Sequence, residues 1–358
     1  LKGLILAGGS GTRLRPLTHT GPKQLIPIAN KPNILYCLED LRDSGITDIG
    51  VILGNNMPEK VQALLGDGSR YGVRITYILQ GEPKGIAHAV GCAEEFMDGE
   101  PFVVYLGDNI LKGGIRYMVE EFKSSDCEAL VALCRVDNPE KFGIAELDEK
   151  GNICRLVEKP KEPRSDLALI GIYFLRETIF PIIRNLKPSW RGELEITDAI
   201  DELRRTTGKV KAMEVKGWWK DTGKPEDILM ANHLVLEGLV GENRGSIEKG
   251  VRIIGRVSVG EGTIIRQGSV LKGPVVIGRD CVIGPDAYVG PYTSIGDRCT
   301  IVNGEIESSI VMERTQIACG KRIVDSLIGG GSRISSADEM LPRGCRFVLG
   351  ENCQVLLR

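Results

Sequence analysis

The sequence predicts an α/β fold in two parts: a mostly parallel sheet covered by helices on both faces, followed by a parallel β-helix of hexapeptide repeats. Two observations predict it. Up to about residue 235, short apolar runs alternate with mixed helical segments, and beyond about residue 245 aliphatic residues recur every six positions. Alternating strands and helices give a sheet whose ligands sit beyond the carboxyl ends of its strands. Taken in order, Leu4 to Ala7 is a buried strand running into a glycine loop, and Asp48 to Leu53, Arg74 to Leu79, Phe102 to Leu106, Ala129 to Leu133 and Leu169 to Phe174 are further strands. Pro225 to Leu239 reads as a connecting helix. Ile247, Ile253, Val259, Ile265, Leu271, Ile277, Ile283, Val289, Ile295 and Ile301 then hold an unbroken spacing of six, with glycine following at 260, 278, 284, 290 and 296. Neither a helix nor an alternating strand has that period, but one short strand plus a turn on a triangular coil does. Each inward aliphatic contributes about 1.5–3 kcal/mol when fully buried, before chain entropy is subtracted. After Ile301 the spacing slips, and Ile306, Ile317, Ile323, Ile328 and Ile334 carry on without it, which predicts imperfect coils or an insertion near Asn303 to Ser309. The expected domains are residues 1–240 and 241–358.

Composition excludes several function classes. A formal net charge of -2 over 358 residues implies no broad basic surface for nucleic acid. No apolar stretch approaches a membrane span, and Leu4 to Ala7 is too short for a signal-peptide core, so a cytoplasmic protein is expected. The ten cysteines, from Cys37 and Cys92 to Cys345 and Cys353, form no C-x-x-C pair and read as free thiols in a reducing compartment.

The most informative segment is the first loop. Gly8, Gly9 and Gly11 let backbone N–H groups converge on an anion, and Arg13, Arg15 and Lys23 add positive charge beside it. This is a pattern suited to a nucleoside triphosphate. It is not a dinucleotide fingerprint, because the sixth position counted from Gly9 is Leu14, and not a P-loop, because Gly11 is followed by Thr12-Arg13. Glycines alone also make a tight strand-to-helix turn with no ligand. The longer string carries more: Gly8-Gly9-Ser10-Gly11-Thr12-Arg13-Leu14-Arg15-Pro16-Leu17-Thr18, then Pro22-Lys23-Gln24-Leu25 and Lys31-Pro32, resembles the sugar-1-phosphate nucleotidylyltransferases, most closely those acting in glucose-1-phosphate thymidylyl transfer. The resemblance continues through Gln80-Gly81-Glu82-Pro83-Lys84-Gly85, Gly107-Asp108-Asn109, Phe142-Gly143, Glu158-Lys159-Pro160, Gly171-Ile172-Tyr173-Phe174, Gly192 to Asp198 and Trp219-Lys220-Asp221-Thr222-Gly223. The six-residue repeats resemble the left-handed β-helix domains of long-form members.

The resemblance implies a Rossmann-like nucleotidyltransferase fold and a sugar-1-phosphate oxygen attacking the α-phosphorus of dTTP or UTP, with pyrophosphate leaving. It implies Mg²⁺ on Asp108 and Asp221, since this ion takes one or two carboxylates plus phosphates and water. It assigns catalytic roles to Arg13, Lys23, Asp108, Lys159 and Asp221, and nucleotide binding to Gly8, Gly9, Gly11, Thr12, Arg13, Gln24, Gln80, Gly85 and Asp108. Gln80 can donate to and accept from an imide edge, while Gly85 leaves room for the base. Gly143, Glu158, Lys159 and Gly171 are expected on the sugar phosphate. His88 is expected to pack beside Gln80, and a homo-oligomer is expected through the repeats. The three histidines, His19, His88 and His233, lie outside the repeats, which argues against acyl transfer there.

Overall fold

The computed structural model describes residues 1–336, so Cys345 and Cys353 lie outside the described residues. The chain divides into two compact units, one comprising Leu1–Gly11, Thr20–Leu25 and Asn33–Asp221, the other Thr12–His19, Ile26–Pro32 and Thr222 onward.

The first unit is built on a nine-stranded sheet. Strand Lys2–Ala7 lies between Phe102–Leu106 and Asp48–Leu53 and runs parallel to both, and Arg74–Leu79 extends the parallel half. Alternation in the first strand sends Leu4 and Leu6 into one core and Ile5 and Ala7 into another. Helices cover both faces: Ala87, Phe180, Ile196 and Leu203 close the first core, and Leu38, Val61, Met118 and Phe122 the second. Continuous apolar runs such as Phe102–Leu106 follow from burial on two sides. The expectation of a mostly parallel sheet is met in this half and where Val210–Glu214 runs parallel to Ala129–Arg135. Leu167–Leu175 runs antiparallel to Phe102–Leu106, Ala129–Arg135 and Gly143–Leu147, and Gly143–Leu147 forms an antiparallel hairpin with Ile153–Glu158. Period and composition do not encode strand direction, which depends on how the connection returns.

The second unit contains the helix Pro225–Leu236 and a three-sided parallel β-helix, consistent with the left-handed class. Its strands stack coil on coil: Ile265 pairs with Ile283 and Ile283 with Ile301, eighteen residues apart, three hexads per coil. The slip after Ile301 comes from shorter coils, since Val289 pairs with Ile306 and Ile301 with Ile317. Leu271, Ile283, Val289 and Ile295 are fully buried in the column, as the repeat predicts. Ile253 departs from it at 43% exposure, because its strand Arg252–Ile254 is the first of its sheet and has a coil on one side only. Leu271→Ala is therefore expected to cost about 3 kcal/mol in chemical denaturation, while Ile253→Ala costs under about 1 kcal/mol because most of its cavity is already open to water.

Eight cysteines among the described residues are free thiols, five of them buried. Among those residues no helix is long and apolar enough to cross a membrane.

Candidate active site

Adjacent parallel strands end together. Leu6 pairs with Leu106, and Gly107 N–H donates to the Leu6 carbonyl at 3.0 Å, so the loops beginning at Gly8 and Asp108 leave the same edge of the sheet. Gln80 emerges from the neighbouring strand Arg74–Leu79, its N–H donating to the Leu53 carbonyl at 2.9 Å. Three of the predicted glycine positions have identifiable local demands. A Cβ on Gly8 would lie 2.4 Å from Gln80 Oε1, and one on Gly9 would lie 3.2 Å from Lys23 Cε. Gly11 sits at φ +63°. The loop is thus pressed against Gln80 on one side and the Lys23 stem on the other.

Lys23 begins the short 3₁₀ turn Lys23–Leu25, and its ammonium donates to Asp108 Oδ2 with both side chains largely buried. A desolvated pair of this kind holds each partner in one geometry, because a lone charge there would be costly. Asp221 is close in the fold: Trp219–Asp221 pairs antiparallel with Asn109–Leu111, and Asp221 stands opposite Asn109, the residue after Asp108. Gln24 is buried beside Gly107, and its Oε1 has no hydrogen-bond donor among the described residues. Gln80 Nε2 donates to the Gly85 carbonyl at 3.5 Å and faces His88 Nδ1 at 3.4 Å. Burial, and then the charge of Lys84, hold His88 below the usual histidine range. At Gly85 the demand for glycine comes from the protein itself: φ is +108° and a Cβ would lie 2.5 Å from the Leu194 carbonyl oxygen.

A second cluster forms around Glu158. It pairs with Gly143 across the hairpin, where a Cβ would lie 2.6 Å from Thr197 Oγ1 and 3.0 Å from Glu158 Oε2. Thr197 Oγ1 donates to Glu158 Oε2 at 2.7 Å, while Lys159 Nζ and Arg191 Nη1 stand 3.8 and 3.6 Å from Oε1. Arg191 also pairs with buried Glu195 at 3.1 Å, whose carboxyl is pushed up mainly by burial. Gly171, at φ +77°, connects this half to the first: a Cβ would lie 2.4 Å from Asn109 Nδ2, which donates to the Ile170 carbonyl at 2.7 Å.

The sites predicted from sequence therefore gather as two neighbouring groups. Gly8, Gly9, Gln24, Lys23, Gln80, Gly85 and Asp108 form one, with Asp221 and Gly171 joined to it through Asn109. Gly143, Glu158 and Lys159 form the other. Thr12 and Arg13 belong to the second unit, where they open the 3₁₀ turn Thr12–Leu14 with exposed side chains. Sequence reasoning did not single out Asn109, Arg191 or Thr197. All three lie in or beside quoted motif blocks, and the missing information was which side chains turn inward.

Residues 2–238 match the nucleotidyl transferase family. The chain belongs to that family. Residues 271–356 match the GMPPB C-terminal domain. This nucleotidyltransferase is 54% identical, over 100% of both chains, to the low-salt glycan biosynthesis nucleotidyltransferase Agl11 of Haloferax volcanii. It is 44% identical to the glucose-1-phosphate thymidylyltransferase of Streptomyces antibioticus, covering 99% of each. A solved UDP-glucose pyrophosphorylase complexed with UDP-glucose aligns with a TM-score of 0.59 and 29% identity, over 66% of this chain and 98% of that one. The nucleotidyltransferase is thus an enzyme of the sugar-1-phosphate class.

Proposed function

We propose that the chain transfers the nucleotidyl group of dTTP to glucose-1-phosphate, forming dTDP-glucose and releasing pyrophosphate. The observation that carries this is the Lys23–Asp108 pair, with Asp221 one strand away, at the strand ends where Gly8 and Gln80 converge. The name of the Streptomyces relative supports the choice of substrates. A sugar-phosphate oxygen attacks the α-phosphorus, and the α–β bridging oxygen leaves with the bonding pair. The attacking phosphate is already ionised, so no protein base is needed. What the residues supply is alignment and charge. Lys23 bridges the α-phosphate and the incoming sugar phosphate, Arg13 holds the β/γ side, Lys159 grips the sugar phosphate and Glu158 accepts from sugar hydroxyls. Gln80 pairs with the imide edge of the base. The buried, undonated Oε1 of Gln24 fits a donor brought by the substrate.

The donor set also fits Mg²⁺. Asp221 offers a hard oxygen on a strand paired with Asn109–Leu111, and Asp108 offers another from the turn immediately before that strand. Two carboxylates, with phosphates and water completing the shell, is the usual arrangement for this ion. When bound, Mg²⁺ would neutralise charge on the triphosphate. In this proposal residues 1–240 are the catalytic part and 241–358 the coil, and the protein works in the cytoplasm as a homo-oligomer, with exposed Ile253 and Ile254 at the first coil as contact surface.

The second reading replaces dTTP by UTP, favoured by the UDP-glucose complex of the solved relative. Thymine and uracil differ by one methyl, which a pocket discriminates by about 1–3 kcal/mol. Initial rates of pyrophosphate release with dTTP and UTP, each with glucose-1-phosphate and N-acetylglucosamine-1-phosphate, separate the two. dTTP with glucose-1-phosphate should give the highest kcat/KM, with UTP about 10- to 200-fold lower. A UTP preference would establish the second reading, and no pyrophosphate from any combination would end both.

A further inference from the structure

We propose that Asn232 is a positioning residue for the nucleotide side of the site, through which the coil holds the turn that follows Lys23. The naming of that side rests on the function proposed above. Pro27–Ile28 and Lys31–Pro32 form a two-residue hairpin whose central residues, Ala29 and Asn30, sit at φ +47° and +63°. Such a turn ordinarily uses glycine or asparagine at both places, and an alanine Cβ is disfavoured there. The conformation therefore needs support from outside the hairpin, and the rest of the second unit, to which the hairpin belongs, supplies it.

Asn232, on the helix Pro225–Leu236, is fully buried. Its Oδ1 accepts from Ala29 N–H at 2.9 Å and from Ser294 Oγ at 2.6 Å, and its Nδ2 donates to the Tyr292 carbonyl at 3.0 Å. Asn30 Nδ2 reaches the coil directly, donating to the Ile295 carbonyl at 2.6 Å. The next helix residue, His233, stacks on Tyr292 with ring centroids 4.4 Å apart, and its Nε2 is 2.8 Å from Ser308 Oγ. Three partners use both an acceptor and a donor on one side chain. Leucine satisfies none of them, and aspartate loses the bond to Tyr292. One amide thus ties turn, helix and coil together, and a buried network with every bond made is rigid.

The consequence follows from chain connectivity. Ile26 succeeds the Lys23–Leu25 turn directly, so fixing Ala29 and Asn30 fixes where that turn ends. The segment Thr12–His19, which carries Arg13, belongs to the same compact unit, and a Cβ on Gly329 of the coil would lie 3.4 Å from Leu17. Both cation-bearing stretches are thereby continuous with coil-anchored backbone. The coil then has a task in substrate alignment besides any part in assembly.

Asn232→Leu and Asn30→Gly test this, the second keeping the turn's backbone preference while removing only the side-chain bond. Hydrogen exchange of the whole chain should accelerate by about tenfold in residues 20–32 in both variants, the upper range for one lost hydrogen bond. Exchange in Lys2–Ala7 and in coil strands other than Thr293–Ile295 should stay unchanged. The KM for dTTP, held by both Lys23 and Arg13, should rise by about the same factor, and the KM for glucose-1-phosphate, which Lys159 also grips, by clearly less, a split that general destabilisation would not give. Unchanged exchange in residues 20–32, or equal rises in both KM values, would overturn the proposal. If Asn232→Leu fails to fold, Asn30→Gly decides alone. If the unaltered protein turns over no triphosphate, the proposed function falls and the exchange result still judges the clamp.

Discussion

Asp108→Asn is expected to lower the rate of pyrophosphate release by about a hundred- to a thousandfold, the range for removing one group that stabilises charge in the transition state. In the proposed function Asp108 contributes twice: as a hard oxygen for the metal and, as the structure shows, in an ion pair with Lys23. Asparagine is nearly isosteric but neutral, so it weakens the first and removes the charge of one carboxylate facing Lys23. Loss of a partly buried pair also costs up to about 3 kcal/mol of stability. That leaves most molecules folded at 25 °C, given the usual margin, so initial rates measured beside a thermal melt separate the two effects. Asp221→Asn should lose rate similarly. Rates within tenfold of the unaltered enzyme for both variants would remove these carboxylates from the chemistry.

Gly171→Ala is expected to destabilise the first unit by about 3 kcal/mol or more, combining a left-handed backbone with overpacking. Its Cβ would lie 2.4 Å from Asn109 Nδ2 and 2.5 Å from Leu106 Cδ1. Relief requires Asn109 to leave the Ile170 carbonyl, and Asn109 sits between Asp108 and the register with Asp221, so turnover should fall as well. Gly151→Ala is the control. Gly151 has φ +83°, but a Cβ there would have nothing within 4 Å, so only the backbone cost of about 1 kcal/mol is expected. Equal unfolding midpoints for the two variants in denaturant would contradict the close contact at Gly171.

Much of this arrangement was legible in the residues because local physics dictates it. Asp48–Leu53, Arg74–Leu79 and Phe102–Leu106 occupy the expected spans, since short apolar-rich runs bounded by turn residues have few alternatives. The column from Val259 to Ile301 is buried for the same reason: a six-residue period has one good solution. What was not legible depends on neighbours distant in sequence. The antiparallel course of Leu167–Leu175, the exposure of Ile253 at an uncovered coil and the glycine requirement at Gly85 each arise from a partner that periodicity does not reveal. In the site, Lys23 and Asp108 carried motif signals. Arg191 carried none of its own, because its role beside Glu158 and Glu195 depends on the fold bringing those carboxylates to it.

The proposal that Asp108 and Asp221 share a metal is tested most directly by titrating Mn²⁺ into the protein with a non-hydrolysable dTTP analogue and counting bound ion by electron paramagnetic resonance. One tight Mn²⁺ per chain is predicted, weakened by at least about tenfold in Asp108→Asn and again in Asp221→Asn, the range for losing a carboxylate interaction. Undiminished Mn²⁺ binding in both variants would contradict the account.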